Sequence, residues 1–224
     1  MKRRQAYKFE LMPNGEQIRA MRQYAGACRF VYNQALAWQK AQYEKDPNNK
    51  FSYTTLANLL PAWKKYPVTF WLKDCPSQTL QQALKNLETS YRNFFAKRAD
   101  FPKFKKKGVG DSFRYPQGCK IEQGNDRLFL PKLGWMRYRN SRAVLGEIKN
   151  ISISQTNGKW FASIQTEREV EQTPHLSNTV VGIDLGIAKF ATLSTGEVFA
   201  PINSFKTKQV KLARYQRAMS RKIK

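Results

Sequence analysis

Residues 180–187 read Val-Val-Gly-Ile-Asp-Leu-Gly-Ile, an apolar run that carries one carboxylate, Asp184, between two glycines. The run continues through residues 189–193 into a turn at 194–197, which predicts a strand, a tight reversal and a second strand. Burying a carboxylate without a partner costs several kcal/mol, so we expect such an acid to bind a metal, pair with a cation or face a cleft. The glycines leave room for a phosphate or an ion. This stretch therefore indicates phosphodiester chemistry that uses two metal ions.

The charge of the chain favours a polyanionic partner. Its 224 residues include 40 Lys and Arg against 16 Asp and Glu, which gives a formal net charge of +24. A field of this size favours nucleic acid, and a merely soluble basic surface is the weaker interpretation. No long apolar run or basic amphipathic anchor indicates a membrane partner. Among successive blocks of fifty residues only 151–200 is net negative, and it contains Asp184, as Mg²⁺ capture beside a phosphate-binding surface would require.

The cysteines and the histidine offer little chemistry. Cys28, Cys75 and Cys119 are isolated and odd in number, which argues against a disulfide framework and against zinc binding. Cys28 is expected to pack on an apolar helix face. His175 lies beside Pro174 in a polar linker, and we expect no catalytic role for it because histidine chemistry needs an orienting partner. The N-terminus is basic but has no apolar h-region, so no signal peptide is expected and we expect a cytoplasmic protein.

The first hundred residues predict a strand and three helices. Residues 4–11 alternate as a strand, and Asn14 with Gln17 forms a capping pair for a helix that runs to about residue 44. A short helix over 54–60 is expected to end near Pro61.

A third helix begins at Pro76-Ser77 and is the clearest element of the chain. Its expected apolar stripe is Leu80, Ala83, Leu84, Leu87, Tyr91, Phe94 and Phe95. Its polar residues are either a solvated surface or a contact surface for base edges and phosphates. The candidate contacts here are Ser77, Gln78, Gln81, Gln82 and Lys85.

Beyond residue 100 the pattern changes to short strands. Strand-like runs occupy 112–115, 119–122, 127–130, 135–139, 147–154 and 159–166. Asn157-Gly158 predicts a hairpin between the last two runs. Strands at this spacing predict a small barrel, and the N-terminal strand is a candidate to complete it. Residues 203–224 predict a basic helix whose cations face either phosphates or solvent.

Residues 101–115 interleave aromatic and cationic side chains and give the strongest nucleic-acid signal. Lysines neutralise phosphates and release counterions, and aromatic faces stack on unpaired bases. The alternative is a disordered basic loop whose phenylalanines are anchored in the core. The candidate contacts are Lys103, Phe104, Lys105, Lys106, Arg114 and Tyr115.

The motif Gly-Ile-Asp-Leu-Gly at 182–186 opens ribonuclease-H-like nucleases and also actin-type ATPases. In both, a carboxylate on the first strand helps to hold Mg²⁺ near phosphates. The ATPase fold starts near this strand, whereas here residues 1–178 form a basic module ahead of it, which favours a nucleic-acid enzyme. A paired structural aspartate is the third interpretation.

Taken in order, these segments resemble the transposon-encoded TnpB (OrfB-type) family, which is related to type V CRISPR effectors. The matching stretches are residues 7–17, 28–36, 76–78, 80–84, 101–105, 112–115 and 181–186. They are spread over nearly the whole chain in the order that the family has them.

The resemblance implies an α+β fold in four parts. Residues 1–13 supply the first strand of a wedge-like β-barrel, 14–100 an inserted helical recognition module, 101–170 the rest of the barrel, and 179–224 the start of a RuvC-like (ribonuclease-H-like) domain. It also implies guide RNA and double-stranded target DNA as partners, in a prokaryotic cell and at the nucleoid when DNA is bound. Mg²⁺ is the implied cofactor and Asp184 the implied first metal ligand and catalytic residue. Lys8, in the first matching stretch, is a further expected contact.

The chain departs from the family in its carboxylates and cysteines. The family's nuclease uses a further Glu and a second Asp from later strands, and it usually carries a four-cysteine zinc element. After Asp184 the only acid here is Glu197, and the last cysteine is Cys119. Because one carboxylate cannot form a two-metal site, we expect that this chain alone does not cleave DNA and that it binds no zinc.

Three function classes therefore stay open. The first is the N-terminal part of an RNA-guided endonuclease, as a truncated product or a piece of a longer protein. The second is a nuclease-inactive DNA-binding regulator or transposition accessory protein. The third is an actin-type ATPase, which the basic first half disfavours.

Overall fold

The computed structural model describes residues 1–46, 48, 51–171, 179–202 and 204–222. The chain divides into two compact units, Met1–Glu171 and Gln172–Lys224. The helical elements of the first unit are α1 (Gly15–Lys45), α2 (Tyr53–Lys65), a 3-10 helix (Pro67–Asp74) and α3 (Ser77–Phe95). Its strands are β1 (Lys2–Met12), β2 (Ser112–Tyr115), β3 (Lys120–Glu122), β4 (Arg127–Leu130), β5 (Gly134–Tyr138), β6 (Glu147–Thr156) and β7 (Lys159–Glu169).

The start of α1 is the capping box that the sequence predicts. Asn14 Oδ1 accepts from the Gln17 N–H at 2.8 Å, and Gln17 Oε1 accepts from the Asn14 N–H at 3.1 Å. Gln17 Nε2 also donates to the carbonyls of Leu133 and Trp135 at 3.1 and 3.0 Å. One side chain therefore caps the helix and ties its first turn to the sheet.

The expectation that Pro61 ends the second helix is wrong, because α2 continues to Lys65. Proline inside a helix removes one backbone hydrogen bond. Leu56 and Leu60 are buried, and Trp63, beyond the proline, packs partly on the same core. This burial on both sides of Pro61 offsets the lost bond and keeps the helix intact.

The strands form one antiparallel sheet with the order β2-β6-β7-β1-β5-β4-β3. β1 pairs with β7 along residues 2–10 and with β5 at Leu11 and Met12, so it lies at the centre of the sheet. The predicted hairpin joins β6 to β7. Its two turn residues, Asn157 and Gly158, have φ of 49° and 77°, which suits the tight turn that matches strand twist.

The predicted barrel is not closed in the described part of the chain, because no ladder joins its end strands β2 and β3. Both α1 and α3 pack on β2, with the Tyr24 and Phe113 rings in edge contact at 5.8 Å. Helices therefore cover this end of the sheet where a barrel would have a partner strand. A side chain spans the gap instead, since the Tyr115 hydroxyl donates to the Pro131 carbonyl at 3.0 Å.

The second unit contains β8 (Ile183–Leu185), β9 (Ala191–Leu193), β10 (Val198–Phe199) and α4 (Ser204–Lys222). Its strands form an antiparallel sheet with the order β10-β9-β8. The predicted turn at 194–197 is present, and the Leu193 N–H donates to the Glu197 carbonyl at 2.8 Å. The run from 180 to 193 is two strands and not one, because the chain also reverses between Leu185 and Ala191.

Across the described helices, none is both long and apolar enough to cross a membrane.

Candidate nucleic-acid interface

The segment 101–111, named the basic loop below, is fastened to α1. Asn33 Nδ2 donates to the Lys105 carbonyl at 3.0 Å, and Asn33 Oδ1 accepts from the Lys105 N–H at 2.8 Å. Arg29 Nη1 lies 2.6 Å from Asp111 Oδ1, and the other oxygen of Asp111 accepts from the Gly108 N–H at 3.1 Å. Hydrogen bonds at both halves of the loop fix its course, so an unanchored basic loop does not describe this segment.

The cations of the basic loop differ in their surroundings. Lys103, Lys105, Lys106 and Lys107 are all exposed, and Lys103 makes an exposed ion pair with Asp100 at 3.3 Å. The ammonium end of Lys105 also lies 4.5 Å from the centre of the Tyr32 ring. Burial lowers the pKa of Lys105, which marks its ammonium as packed against α1.

Phe104 is half exposed at the surface of the basic loop. The ammonium group of Lys40, on α1, lies 5.0 Å from the centre of its ring. Such a contact holds the aromatic ring in place and leaves part of it open to solvent. Phe104 and the exposed lysines therefore place a half-open aromatic face beside cations, which are the two kinds of group that base stacking and phosphate binding require.

Arg114 lies on the outer face of the sheet in a network of amides. Its Nε donates to Asn150 Oδ1 at 3.0 Å and its Nη2 to Gln165 Oε1 at 3.3 Å. Lys8 is also exposed, and its ammonium group lies 4.7 Å from the centre of the Phe161 ring. Because a guanidinium has five N–H donors, Arg114 retains donors for a ligand while the amides set its orientation.

Tyr115 is not a surface residue, and the expectation that it contacts nucleic acid does not fit its position. The side chain is fully buried, and burial raises the pKa of its phenol. Successive side chains of a strand point to opposite faces of the sheet. Because Arg114 lies on the outer face, Phe113 and Tyr115 lie on the face that packs against the core. The Tyr115 ring packs in the core and is unavailable for stacking on a base.

The polar side of α3 is open to solvent as the sequence predicts. Gln81 and Lys85 are exposed, and Gln78 and Gln82 are half buried. Ser77 Oγ accepts from Lys64 Nζ at 2.7 Å. Thus the first turns of α3 present hydroxyl, amide and ammonium groups together.

Two lysines near Ser77, Lys64 and Lys132, were not predicted from the sequence as part of this surface. Burial lowers the pKa of Lys64, and the charge of Lys132 lowers it further. Lys132 Nζ donates to the carbonyls of Lys73 and Asp74 at 3.0 and 3.2 Å, at the end of the 3-10 helix. No sequence spacing relates these groups, because the fold alone brings them together.

Asp184 lies in the second unit, on β8, and its side chain is exposed. Because Asp184 is exposed, the cost of burying a carboxylate does not arise here, and its expected metal, cation or cleft stays a prediction. The neighbouring Ile183 and Leu185 are exposed as well, so this strand has no covered face that would desolvate the acid. Glu197, the other acid of the motif region, lies in the turn between β9 and β10.

The donors in the described ranges do not fit a magnesium site. Searched together, these residues contain no group of three or more His, Cys, Asp or Glu side chains that could hold a metal ion. A two-metal mechanism needs several carboxylates around both ions, and Asp184 alone does not supply them. His175 lies outside the described residues.

Cys28 is a packing residue, as its helix position predicts. It is buried on α1, and its Sγ donates to the Thr79 carbonyl at 3.4 Å. Burial raises the pKa of the Cys28 thiol to about 12. A protonated, enclosed thiol is inert toward metals and oxidants.

Comparison with known proteins places the chain. The model of the OrfB_IS605 helix-turn-helix domain matches residues 1–48, and the OrfB_IS605 model described as "Probable transposase" matches residues 163–224. The Escherichia coli (strain K12) protein named "Putative RNA-guided DNA endonuclease InsQ" is 58% identical over 224 residues, which cover 100% of this chain and 56% of that protein. The chain belongs to the OrfB/TnpB family.

A second OrfB/TnpB relative, from Streptomyces pristinaespiralis, is named "Putative RNA-guided DNA endonuclease". It is 33% identical over 227 residues, which cover 99% of this chain and 56% of that protein. This OrfB/TnpB chain thus spans a little more than half the length of these two relatives. The described part of residues 1–48 forms β1 and α1, so the family's helix-turn-helix description does not match the architecture here.

One solved structure has a distant likeness to this OrfB/TnpB chain. It is the Cas12f1 complex with sgRNA and target DNA, with a TM-score of 0.41, 10% sequence identity, and coverage of 97% of this chain and 62% of that chain. At this level the likeness assigns no residue and no activity.

Proposed function

We propose that this chain is the nucleic-acid-binding part of an OrfB/TnpB-type RNA-guided DNA endonuclease. In this proposal residues 1–171 bind guide RNA and double-stranded target DNA. The observation that carries it is the basic loop, which α1 holds in place so that Lys103, Lys106 and Lys107 face solvent. A net charge of +24 and the names of the relatives support it.

Three surfaces share the contacts in this proposal. The basic loop and the outer sheet face bind phosphates and stack on bases, and the polar side of α3 reaches base edges. Tyr115 is left out because it is buried. The proposed contacts are Lys8, Ser77, Gln78, Gln81, Gln82, Lys85, Lys103, Phe104, Lys105, Lys106, Lys107 and Arg114.

The parts of the chain take family roles in the same proposal. Residues 14–100 serve as the recognition module, and 1–13 with 101–170 serve as the wedge, here an open sheet packed on helices. Residues 179–224 are the start of a RuvC-like domain, with Asp184 as one of the carboxylates that would hold Mg²⁺ in a complete site. We expect no cleavage by these 224 residues alone, and magnesium-dependent plasmid cleavage with guide RNA would contradict this.

Filter binding to structured RNA at several salt concentrations tests the binding surface. Lys106→Glu/Lys107→Glu changes the net charge by the same amount as Lys65→Glu/Lys120→Glu, and all four lysines are exposed. If both loop lysines contact phosphates, the first pair of substitutions lowers the salt slope by about 1.4, at 0.7 per contact on a single strand. The Lys65→Glu/Lys120→Glu variant should change RNA affinity only through the lower net charge of the protein. Equal effects from both pairs would place the RNA elsewhere.

The second candidate function is a nuclease-inactive DNA-binding regulator. The exposed lysines of the basic loop are compatible with it, because binding a DNA duplex needs cations for the phosphates and no metal site. The two functions differ in their need for RNA. A regulator binds duplex DNA equally well with and without guide RNA, whereas an RNA-guided protein needs the guide for sequence-selective binding.

A further inference from the structure

A pocket of about 990 Å³ opens between the C-terminal halves of α1 and α3 and the start of the basic loop. None of the proposed contact residues lines it. Its walls are mainly aromatic, and they include Tyr43, Phe51, Tyr91, Phe94, Phe95 and Phe101. The volume lies near the upper end of the range for small-molecule sites, so a flat heterocycle can enter. This cavity is named the aromatic pocket below.

The inner rings of the aromatic pocket hold one another in place. Phe101 meets Tyr91 and Phe94 edge-on, at centroid distances of 5.7 and 5.2 Å. Phe51 lies 4.8 Å from Tyr91 at an interplanar angle of 30°. Such edge and tilted pairs are the stable arrangements of aromatic rings. The pocket is therefore rigid on its inner side and needs no rearrangement to bind a ring.

Two rings at the mouth are the most exposed. Phe95 is 71% exposed and Tyr43 is 57% exposed, against 39% for Phe101. The sequence predicts Phe95 in the buried stripe of α3, but the stripe ends before it. Large apolar side chains left in water beside a formed pocket are typical of binding sites.

The charges around the aromatic pocket suit a flat neutral ring between anionic groups. Lys40 and Arg92 line the pocket with Glu44 and Glu88, so the walls are balanced in charge. Residues 96–107 add six cations and one acid: Lys97, Arg98, Lys103, Lys105, Lys106, Lys107 and Asp100. Lys40 joins the two regions, because its ammonium group lies 5.2 Å from the centre of the Phe101 ring and 5.0 Å from that of Phe104.

We propose that the aromatic pocket binds an unpaired nucleobase of a nucleic-acid strand, stacked on Phe95 and Tyr43, with its flanking phosphates on the cations of 96–107. This inference rests on the proposed function, because it assigns one contact within nucleic-acid binding. Stacking on aromatic side chains suits any base, so the pocket selects an unpaired state and not a sequence. A duplex presents no free base face and gains nothing there.

The test uses the full chain and short oligonucleotides that carry 2-aminopurine, a base whose fluorescence is quenched by stacking. The base is placed in an unpaired stretch or inside a duplex, in separate RNA and DNA arms. We expect binding to quench the unpaired probe and to leave the paired probe unchanged. The Phe95→Ala/Tyr43→Ala variant should bind the single strand roughly tenfold more weakly, which corresponds to the usual value of one stacked base, and the duplex equally well.

Phe95→Leu keeps the apolar volume and removes the stacking face, so it tests the pocket even if the double variant folds poorly. Tyr66→Ala is the matched control, because Tyr66 is 63% exposed and does not line the pocket. Wild-type affinity for single strands in both pocket variants would overturn the proposal. So would a change in self-association on sedimentation without a change in oligonucleotide binding, because the occupant would then be protein. If the wild-type chain binds no oligonucleotide at all, the proposed function itself fails.

Discussion

At the scale of single residues, Asn33 determines where the basic loop lies. Among the described contacts, its amide is the only side-chain group that hydrogen-bonds both the N–H and the carbonyl of Lys105. It accepts from the N–H at 2.8 Å and donates to the carbonyl at 3.0 Å. An amide has both functions, whereas a carboxylate only accepts and alanine has neither. Lysines held on a fixed backbone bind phosphates with less loss of entropy than lysines on a free loop.

Replacing Asn33 should release the basic loop. Each hydrogen bond contributes about 1 kcal/mol, so Asn33→Ala should raise the open population of the loop by about tenfold or more, and Asn33→Asp should have a smaller effect. Limited trypsin cleavage after Lys103 and Lys106 measures this population when opening is fast relative to cleavage. Gln34→Ala, an exposed neighbour on α1, is the control. Unchanged cleavage in Asn33→Ala would show that the loop is held by other contacts.

Cys28 predicts how stability depends on alkaline pH. Its pKa is about 12 in the folded chain, against an ordinary value near 9.0, because burial disfavours the thiolate. The contribution of the thiol to stability is therefore fully present below about pH 9, and it is lost as the pH rises from 9 toward 12, where only the unfolded chain ionises. Over that window the free energy of unfolding should fall with pH more steeply in wild type than in Cys28→Ala, by up to about 1.4 kcal/mol per pH unit.

Urea unfolding at pH 7, 8, 10 and 11 measures this difference. The cavity left by Cys28→Ala lowers stability by the same amount at every pH, so only the change of the difference with pH reports the thiol. Curves that stay parallel to pH 11 would mean that the thiol ionises as easily in the folded chain as in the unfolded one.

Residue roles were predictable from the sequence where they depend on local pattern. The alternation in 112–115 already contains the signal that Arg114 and Tyr115 face opposite ways, although both are candidates by chemistry. The Asn14–Gln17 cap follows from spacing alone. Asn33 and Lys132 could not be assigned in this way, because their partners lie far along the chain and come close only in the fold.

At the scale of elements, two glycines at the ends of β6 should respond differently to alanine. Gly158, in the β6–β7 turn, has φ of 77° and no atom within 4 Å of an added Cβ. Gly146, before β6, has φ of 92°, and an added Cβ would lie 2.8 Å from the Glu167 carbonyl oxygen. The left-handed backbone costs about 1–2 kcal/mol in both, but only Gly146→Ala adds a clash with β7 that backbone movement must relieve.

Chemical denaturation of the two variants measures the comparison. Gly158→Ala should lower the free energy of unfolding by about 1–2 kcal/mol, and Gly146→Ala by clearly more. Similar losses would mean that the approach of Gly146 to β7 relaxes without penalty. The control is Gly124→Ala, because Gly124 lies in a short turn without a positive φ or a close neighbour.

Element boundaries were predictable where periodicity is strong. The runs at 112–115 and 127–130 are strands with the same limits in the structure, and the third helix begins at Ser77 as expected. The length of α2 and the opening of the barrel were not predictable. Both depend on burial between segments that are distant in sequence, namely Trp63 on the core and the helices on β2.

At the scale of the whole molecule, the two units differ in how completely they bury their apolar side chains. Residues 1–171 share one core that runs from the helices into the sheet. In the second unit Val180, Ile183, Leu185 and Ile187 are exposed, although the sequence pattern predicts an apolar strand there. Periodicity reports which side chains are apolar, but burial also requires an element that covers them.

The last prediction separates binding from catalysis by means of Asp184. If positive charge on the first unit drives binding, Asp184→Ala should leave RNA affinity within about twofold of wild type at every salt concentration, since a single exposed charge is screened by salt. Lys106→Glu/Lys107→Glu should weaken binding in the same assay. Because the described donors form no metal cluster, adding Mg²⁺ should affect wild type and Asp184→Ala equally, through screening alone. The contradicting result is a gain in RNA affinity on adding Mg²⁺ that wild type shows and Asp184→Ala does not. Asp184 would then bind the metal together with the nucleic acid, which would supply the remaining ligands. Binding and catalysis would in that case share this residue.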